Sequence, residues 1–209
     1  MEQKILNNIS YGLFVLTASK DGKDNGCIIN TASQLASDPL TICVAVNKAN
    51  LTCDMISSTK KFTVSILSQA ATFDTFKHFG FSSGRDTDKF SGYADCKRVA
   101  NGTMAVTAGT NAYISVDVTN QIDLGSHILF LGTPTDGEIL SDIPSATYAY
   151  YFENIKPKPQ KVGETLEGQT IWRCKICGYE YVGEELPEDY ICPLCKHPAS
   201  DFEKIVRAL

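Results

Sequence analysis

The chain has 209 residues, of which 43% are hydrophobic and 21% charged, and a formal net charge of −5. This is the composition of a folded globular protein; no basic cluster suits nucleic acid and no apolar run is long enough to span a bilayer. The length allows more than one domain, and roughly the first 150 residues can bury a sizeable core.

Lys4, Asn7 and Asn8 lead into a strand-like segment rather than the apolar core of a signal peptide, which points to the cytoplasm. Strands are predicted at 11–19, 25–33, 40–46, 62–67, 112–121 and 126–132, each rich in Ile, Val, Thr or aromatics and bounded by Gly, Asp or Asn. Ile114, Val116 and Val118 alternate with Ser115, Asp117 and Thr119, which gives that strand one buried and one wet face. AspGly at 21–22 predicts a hairpin turn, and AspGly at 136–137 predicts another. One helix is predicted over 50–59, with Asn50 or Thr52 available as its N-cap, and a second over 70–79, ending at Gly80. Sequential strands with short helices between them predict a mainly β fold, an antiparallel barrel rather than a βαβ sheet. Cys27, Cys43, Cys53 and Cys96 are scattered singly and read as buried reduced thiols. The run IKPKPQKVGETLEGQ at 155–169 holds Pro157 and Pro159 and has no aromatic residue, which is linker chemistry; fully extended it reaches roughly 50 Å. Three segments are expected: a domain over 1–155, a linker over 156–169 and a small domain over 170–209.

The small domain contains two CxxC pairs, Cys174 with Cys177 and Cys192 with Cys195. Each such turn lets two sulfurs reach one ion, and two turns complete a tetrahedral four-sulfur site. The spacing alone fits a zinc ribbon as well as an iron centre. Gly178 after the first pair, Pro193 inside the second, and Trp172, Tyr179, Tyr181, Tyr190 and Phe202 around them favour iron, because aromatic side chains keep water from the sulfurs. Glu184, Glu185, Glu188 and Asp189 form an acidic loop that is either a docking face for a basic partner or simply solvated.

The first domain lacks the glycine-rich motifs of dinucleotide-binding and P-loop proteins. Two polar clusters sit at strand ends instead. Asn30, Thr31, Ser33 and Gln34 close the second strand, and Asn47, Lys48, Asn50 and Thr52 run into the first helix. A helix N-terminus beside a lysine suits a phosphate, although capping plus a solvated lysine accounts for the same residues. Arg85 and Lys89 follow the loop from Gly80 to Gly84. His127 is a lone histidine on a strand, either a packed barrel residue or a site residue; His78 and His197 read as surface or packing residues.

The segment CxxCGYxY…ICPxC, with the acidic loop and AspPheGlu at 201–203, resembles rubredoxin, with a shorter insert between the pairs than free-standing rubredoxins carry. YGLFVLTAS, GCIINTASQLASDPLTICVAVNKANLTCDMI, KFTVSIL, FGFSSGRDTDKF and GSHILFLG, in that order, resemble the flavin reductase-like family of FMN-binding split barrels over roughly residues 1–155. The resemblance implies that Asn30, Thr31, Ala32, Ser33 and Gln34 line the isoalloxazine and ribityl chain, and that Asn47, Lys48, Asn50 and Thr52 take the phosphate. It also implies that the loop with Phe81, Arg85 and Lys89 folds over the cofactor, and that His127 lies near the flavin or an incoming nicotinamide as the catalytic candidate. Ser126 stands where relatives often carry a charged residue. The same resemblance implies a homodimer, with NADH or NADPH as co-substrate. One iron held by Cys174, Cys177, Cys192 and Cys195 would receive electrons from the flavin and pass them to a flavodiiron oxygen or nitric oxide reductase. Two other functions fit these residues: a relay module reduced by a separate reductase, and a non-enzymatic FMN-binding barrel with a zinc ribbon.

Overall fold

The structure, a computed structural model, describes residues 5, 8–157, 170–175, 178–193 and 197–206. The chain divides between Ile155 and Lys156 into two compact units. No helix among the described residues is long and apolar enough to cross a membrane.

The first unit is built on seven antiparallel strands: β1 (Phe14–Lys20), β2 (Lys23–Ile29), β3 (Ala32–Ser37), β4 (Leu40–Asn47), β5 (Lys61–Leu67), and, later in the chain, β8 (Thr110–Asp123) and β9 (His127–Ile139). Their order is β2-β1-β5-β8-β9-β4-β3, so the two edge strands are consecutive in sequence and the sheet rolls into a split barrel. β1 is buried on both faces from Phe14 to Ala18, and four of those five residues are apolar. Phe14, Leu16 and Ala18 join Val44, Phe62, Val64 and Phe130 in the barrel core, whereas Val15 packs outward with Leu67, Phe76 and Phe79. Helix α1 (Leu51–Thr59) places Cys53, Met55 and Ile56 in the inner core, and α2 (Phe73–Gly80) supplies Phe76 and Phe79 to the outer one.

Several boundaries differ from those expected. The single strand predicted at 25–33 is two strands with a break at Asn30 and Thr31, where the chain passes from one edge of the split barrel to the other. Asp21 and Gly22 both have positive φ and form the predicted hairpin turn between β1 and β2. Asp136 and Gly137 form no turn: they lie inside β9, opposite Ser115 and Ile114. Asn50 occupies the N-cap position of α1, but its side chain makes no capping bond. A short hairpin of β6 (Cys96–Arg98) and β7 (Met104–Val106) was not foreseen. It is tied to β5 by polar contacts, with Val106 N donating to Ser65 Oγ at 2.9 Å and Asn101 Nδ2 to Phe62 O at 3.0 Å. The unit ends in a helical turn over Tyr148–Tyr150 that widens into a π-turn over Tyr151–Ile155.

The second unit is a three-stranded sheet in the order β11-β10-β12, comprising β10 (Thr170–Cys174), β11 (Glu180–Val182) and β12 (Phe202–Val206). Of the expected linker, residues 158–169 lie outside the described residues.

Candidate functional site

β4 hands the chain to α1 through a tight turn in which Asn47 Oδ1 accepts from Ala49 N at 2.9 Å and Asn50 N donates to Asn47 O at 3.0 Å. With the Asn50 side chain absent from the cap, the positive end of the α1 dipole opens into a polar cavity of about 280 Å³. Asn50, Thr52, Phe81 and Lys89 line it, joined by Asn25 and Cys27 of β2 and by Ser82, Ser83 and Gly84 of the returning loop.

Lys89 is 3% exposed, and its Nζ donates to Gly26 O and Phe79 O, both at 2.9 Å. These two carbonyls clamp β2 to the end of α2 and take two of the three ammonium protons. Among the described residues no carboxylate pairs with it, and desolvation pushes its pKa down. Burial pushes the Cys27 thiol up to about 11, against smaller lowering effects of Thr52 and Lys89, so the thiol stays neutral at physiological pH. The cavity therefore offers one buried cation, a helix N-terminus and neutral polar groups, a donor set that fits an anion. His78 is a packing residue: it stacks on Tyr93 and donates from Nε2 to Lys89 O at 2.6 Å.

The other predicted residues are distributed around this cavity. Lys48 is not among its lining residues; its Nζ pairs with Asp123 at 2.6 Å on the exposed β8–β9 end. Arg85 Nη2 reaches Asp54 Oδ2 at 2.7 Å, which fastens the loop after α2 to the first turn of α1. His127 opens β9 directly opposite Asn47, with Nδ1 at 2.8 Å from Ser126 Oγ, while Ser126 O accepts from Lys48 N at 3.0 Å. Asn47, Lys48 and His127 thus share one strand end. Thr31 Oγ1 donates to Ala45 O at 2.8 Å, and Asn30 is half-buried at the break between β2 and β3. Ala32, Ser33 and Gln34 line a second, mostly apolar hollow of about 470 Å³, with Phe14, Ile42 and Ile114. Sequence reasoning missed Asn25, Cys27 and the serines of the loop. Asn25 interrupts a strand pattern between Asp24 and Gly26, the one local sign that something other than packing sets that position.

In the second unit, Gly178 has φ +78 and donates from N to Cys174 O at 2.8 Å, so the chain turns back on itself directly after the first CxxC pair. Cys174 N donates to Tyr179 O and Cys192 N to His197 O, both at 2.8 Å. Cys174 and Cys192 are both buried. Tyr190 packs against Tyr181 at 4.8 Å and Phe202 at 5.5 Å between ring centroids, and its hydroxyl lies 3.3 Å from that of Tyr179. Burial is the main reason its phenol titrates well above the ordinary range. Cys177 and Cys195 lie outside the described residues.

Both architectures have known relatives. The Flavin reductase like domain family matches residues 6–158, and the Rubrerythrin, rubredoxin-like domain family matches residues 172–203. The high molecular weight rubredoxin of Moorella thermoacetica is 33% identical, over 98% of this chain and 100% of the relative. A ferric-chelate reductase (NAD(P)H) of Archaeoglobus fulgidus is 35% identical over 72% of this chain and 89% of its own. Among solved structures, an NADH:FAD oxidoreductase of Streptomyces globisporus superposes with a TM-score of 0.62 at 18% identity, over 69% of this chain and 85% of that one. Fold, matched segments and full-length identity converge: the chain belongs to the flavin reductase-like family and carries a rubredoxin-like domain C-terminal to its split barrel.

Proposed function

We propose that the chain is an NAD(P)H-dependent FMN oxidoreductase that passes single electrons to its own four-cysteine iron centre and from there to a partner protein. The observation that carries this reading is the polar cavity at the α1 N-terminus, in which Lys89 is a buried cation with no carboxylate partner among the described residues. A terminal phosphate supplies the missing counter-charge, and a cavity of about 280 Å³ holds one end of a flavin rather than the whole of it.

In this reading the domains are 1–155 for flavin and 170–209 for iron, joined by 156–169. Asn50, Thr52 and Lys89 hold the phosphate, and Phe81 covers it. Residues 30–34 border the ring system, and His127 stands at the strand end beside Asn47 as the candidate for orienting a nicotinamide. Cys174, Cys177, Cys192 and Cys195 hold the iron, and Tyr179, Tyr190 and Phe202 keep water from the sulfurs. Bound flavin would supply the conversion of a two-electron hydride donor into single-electron steps, and a tetrathiolate iron would carry those electrons one at a time. The exposed acidic residues Glu184, Glu185, Glu188 and Asp189 suit a basic docking face on the acceptor, for which a flavodiiron-type reductase is the reading. A homodimer and a cytoplasmic location belong to the same proposal, since a nicotinamide-fed carrier needs a compartment that supplies the nicotinamide.

Rapid mixing of the anaerobic, iron-loaded protein with NADH or NADPH tests the electron order. Flavin absorbance should bleach before the ferric–thiolate band. Bleaching of the ferric band first, or no reduction by either nucleotide, would overturn the proposal.

A further inference from the structure

Asn25 lines the polar cavity, and the packing of the chain leaves its hydrogen bonding incomplete. It sits on β2 opposite Ala18 and is 2% exposed. Its Nδ2 donates to Thr52 Oγ1 at 2.9 Å, in the first turn of α1. Its Oδ1 is buried and makes no hydrogen bond among the described residues. A buried acceptor left in that condition keeps its desolvation penalty with nothing to offset it. The amide also lies hard against the loop after α2: a side chain begun at Gly84 would drive its Cβ into Asn25 Oδ1. Gly84 and Asn25 both line the cavity, so the unpartnered end of the amide belongs to the cavity wall.

A carboxamide is nearly symmetric in shape. A half-turn about its last bond exchanges donor and acceptor without needing new space. After that turn, Oδ1 accepts the Thr52 hydroxyl proton and the NH2 group faces the Gly84 side of the cavity. The orphan acceptor is then satisfied, and the two N–H donors are presented on the Gly84 side of the cavity wall. Of the neighbouring lining groups, Cys27 is a neutral thiol, and Lys89 has spent two of its three ammonium protons on carbonyls, which leaves one for the same anion. We infer that Asn25 is a ligand-contacting residue whose carboxamide turns to donate to a phosphate held at the α1 N-terminus, and so sets the preference for phosphorylated over unphosphorylated flavin. This rests on the FMN reading above and adds to it a residue and a donor geometry.

Asn25→Asp removes both donors and puts a negative charge in the cavity wall facing the anion, while Asn25→Ala removes the amide alone. Titration of flavin-depleted, full-length protein with FMN and with riboflavin, followed by flavin fluorescence, should show FMN weakened at least about tenfold in Asn25→Asp and severalfold in Asn25→Ala, with riboflavin changed by less than about twofold. Equal losses for the two ligands, or unchanged FMN affinity, would overturn the inference and leave the FMN reading standing. Wild-type protein that binds neither flavin would overturn both. A measurement on the unaltered chain does not depend on the variants folding: the Asn25 side-chain amide protons should shift in a nitrogen-15 NMR spectrum on addition of FMN, and not of riboflavin. An unmoved amide signal on FMN saturation would count against the inference.

Discussion

Lys89 is the residue on which the cavity depends most. Its ammonium is buried with no carboxylate partner among the described residues and donates instead to the carbonyls of Gly26 and Phe79. Lys89→Met keeps the length of the stem and deletes both donors. Two buried carbonyls then lose a partner at about 1–3 kcal/mol each, partly offset because no ammonium is desolvated any longer. The net expectation is a loss of about 2 kcal/mol, read as a lower urea midpoint with an unchanged slope. The pH dependence has a definite sign. Burial depresses the Lys89 pKa below its ordinary 10.5, so in the window between the two values the unfolded chain binds more protons than the folded one. Wild-type stability measured relative to Lys89→Met should therefore rise as pH climbs toward 10.5. A flat difference across that window would mean that the lysine is not desolvated in the fold.

At the scale of elements, α1 ends in a strained residue rather than a glycine. Lys60 closes the helix in the left-handed region at φ 59, with its N–H bonded to Ile56 O at 2.8 Å. An L residue there costs about 1–2 kcal/mol, and glycine relieves that cost at an entropic penalty of about 0.5–1 kcal/mol. Lys60→Gly gives up only an exposed contact from Nζ to Gln121 Oε1. It should stabilise the barrel by about 0.5 kcal/mol, measured as a rise in its thermal midpoint of about 1–2 °C. The predicted end of this helix at residue 59 is where α1 stops, although lysine is not the usual residue for a left-handed cap; β5 begins directly after it at Lys61. The two AspGly pairs make the point more sharply. At 21–22 the flanking strands pair with each other, so the local turn preference and the tertiary pairing agree. At 136–137 the strand continues because β8 is fourteen residues long and pairs past that point. Gly137 is needed there for close approach, since an added Cβ would lie 2.9 Å from Tyr113 O. The long alternating or apolar strands and both helices were legible because burial sets their pattern. The hairpin of β6 and β7 was not, because three-residue strands held by Ser65 and Asn101 leave no period to read. For the candidate site, Asn50, Thr52 and Lys89 were legible as chemistry near a helix start and a charged loop. Asn25 was not, since a buried asparagine in a strand declares itself only through its neighbours.

At the scale of the whole molecule, the two units rest on different physics. The first has two apolar clusters, one inside the barrel and one between the sheet and α2. The second is a three-stranded sheet with Ile171, Cys174, Cys192 and Phe202 as its buried apolar residues among those described. Domains this small usually need a metal or disulfides to hold their fold. Two of those four buried residues are cysteines of the proposed metal set, so removing the metal takes away much of what the unit is folded around, whereas the barrel is folded around its two apolar clusters. Binding energy at a thiolate site appears directly as folding energy, because the unfolded chain holds no preformed site. Calorimetry of the iron-loaded chain should therefore give two transitions. Stripping the metal under reducing conditions should abolish the one assigned to the C-terminal unit and leave the barrel transition within about 2 °C of its place. Addition of FMN should do the reverse, raising the barrel transition alone by mass action on the folded state. A single transition that moves as a whole with either treatment would show that the two units fold as one body, and that the iron site stabilises the barrel as well as its own small sheet.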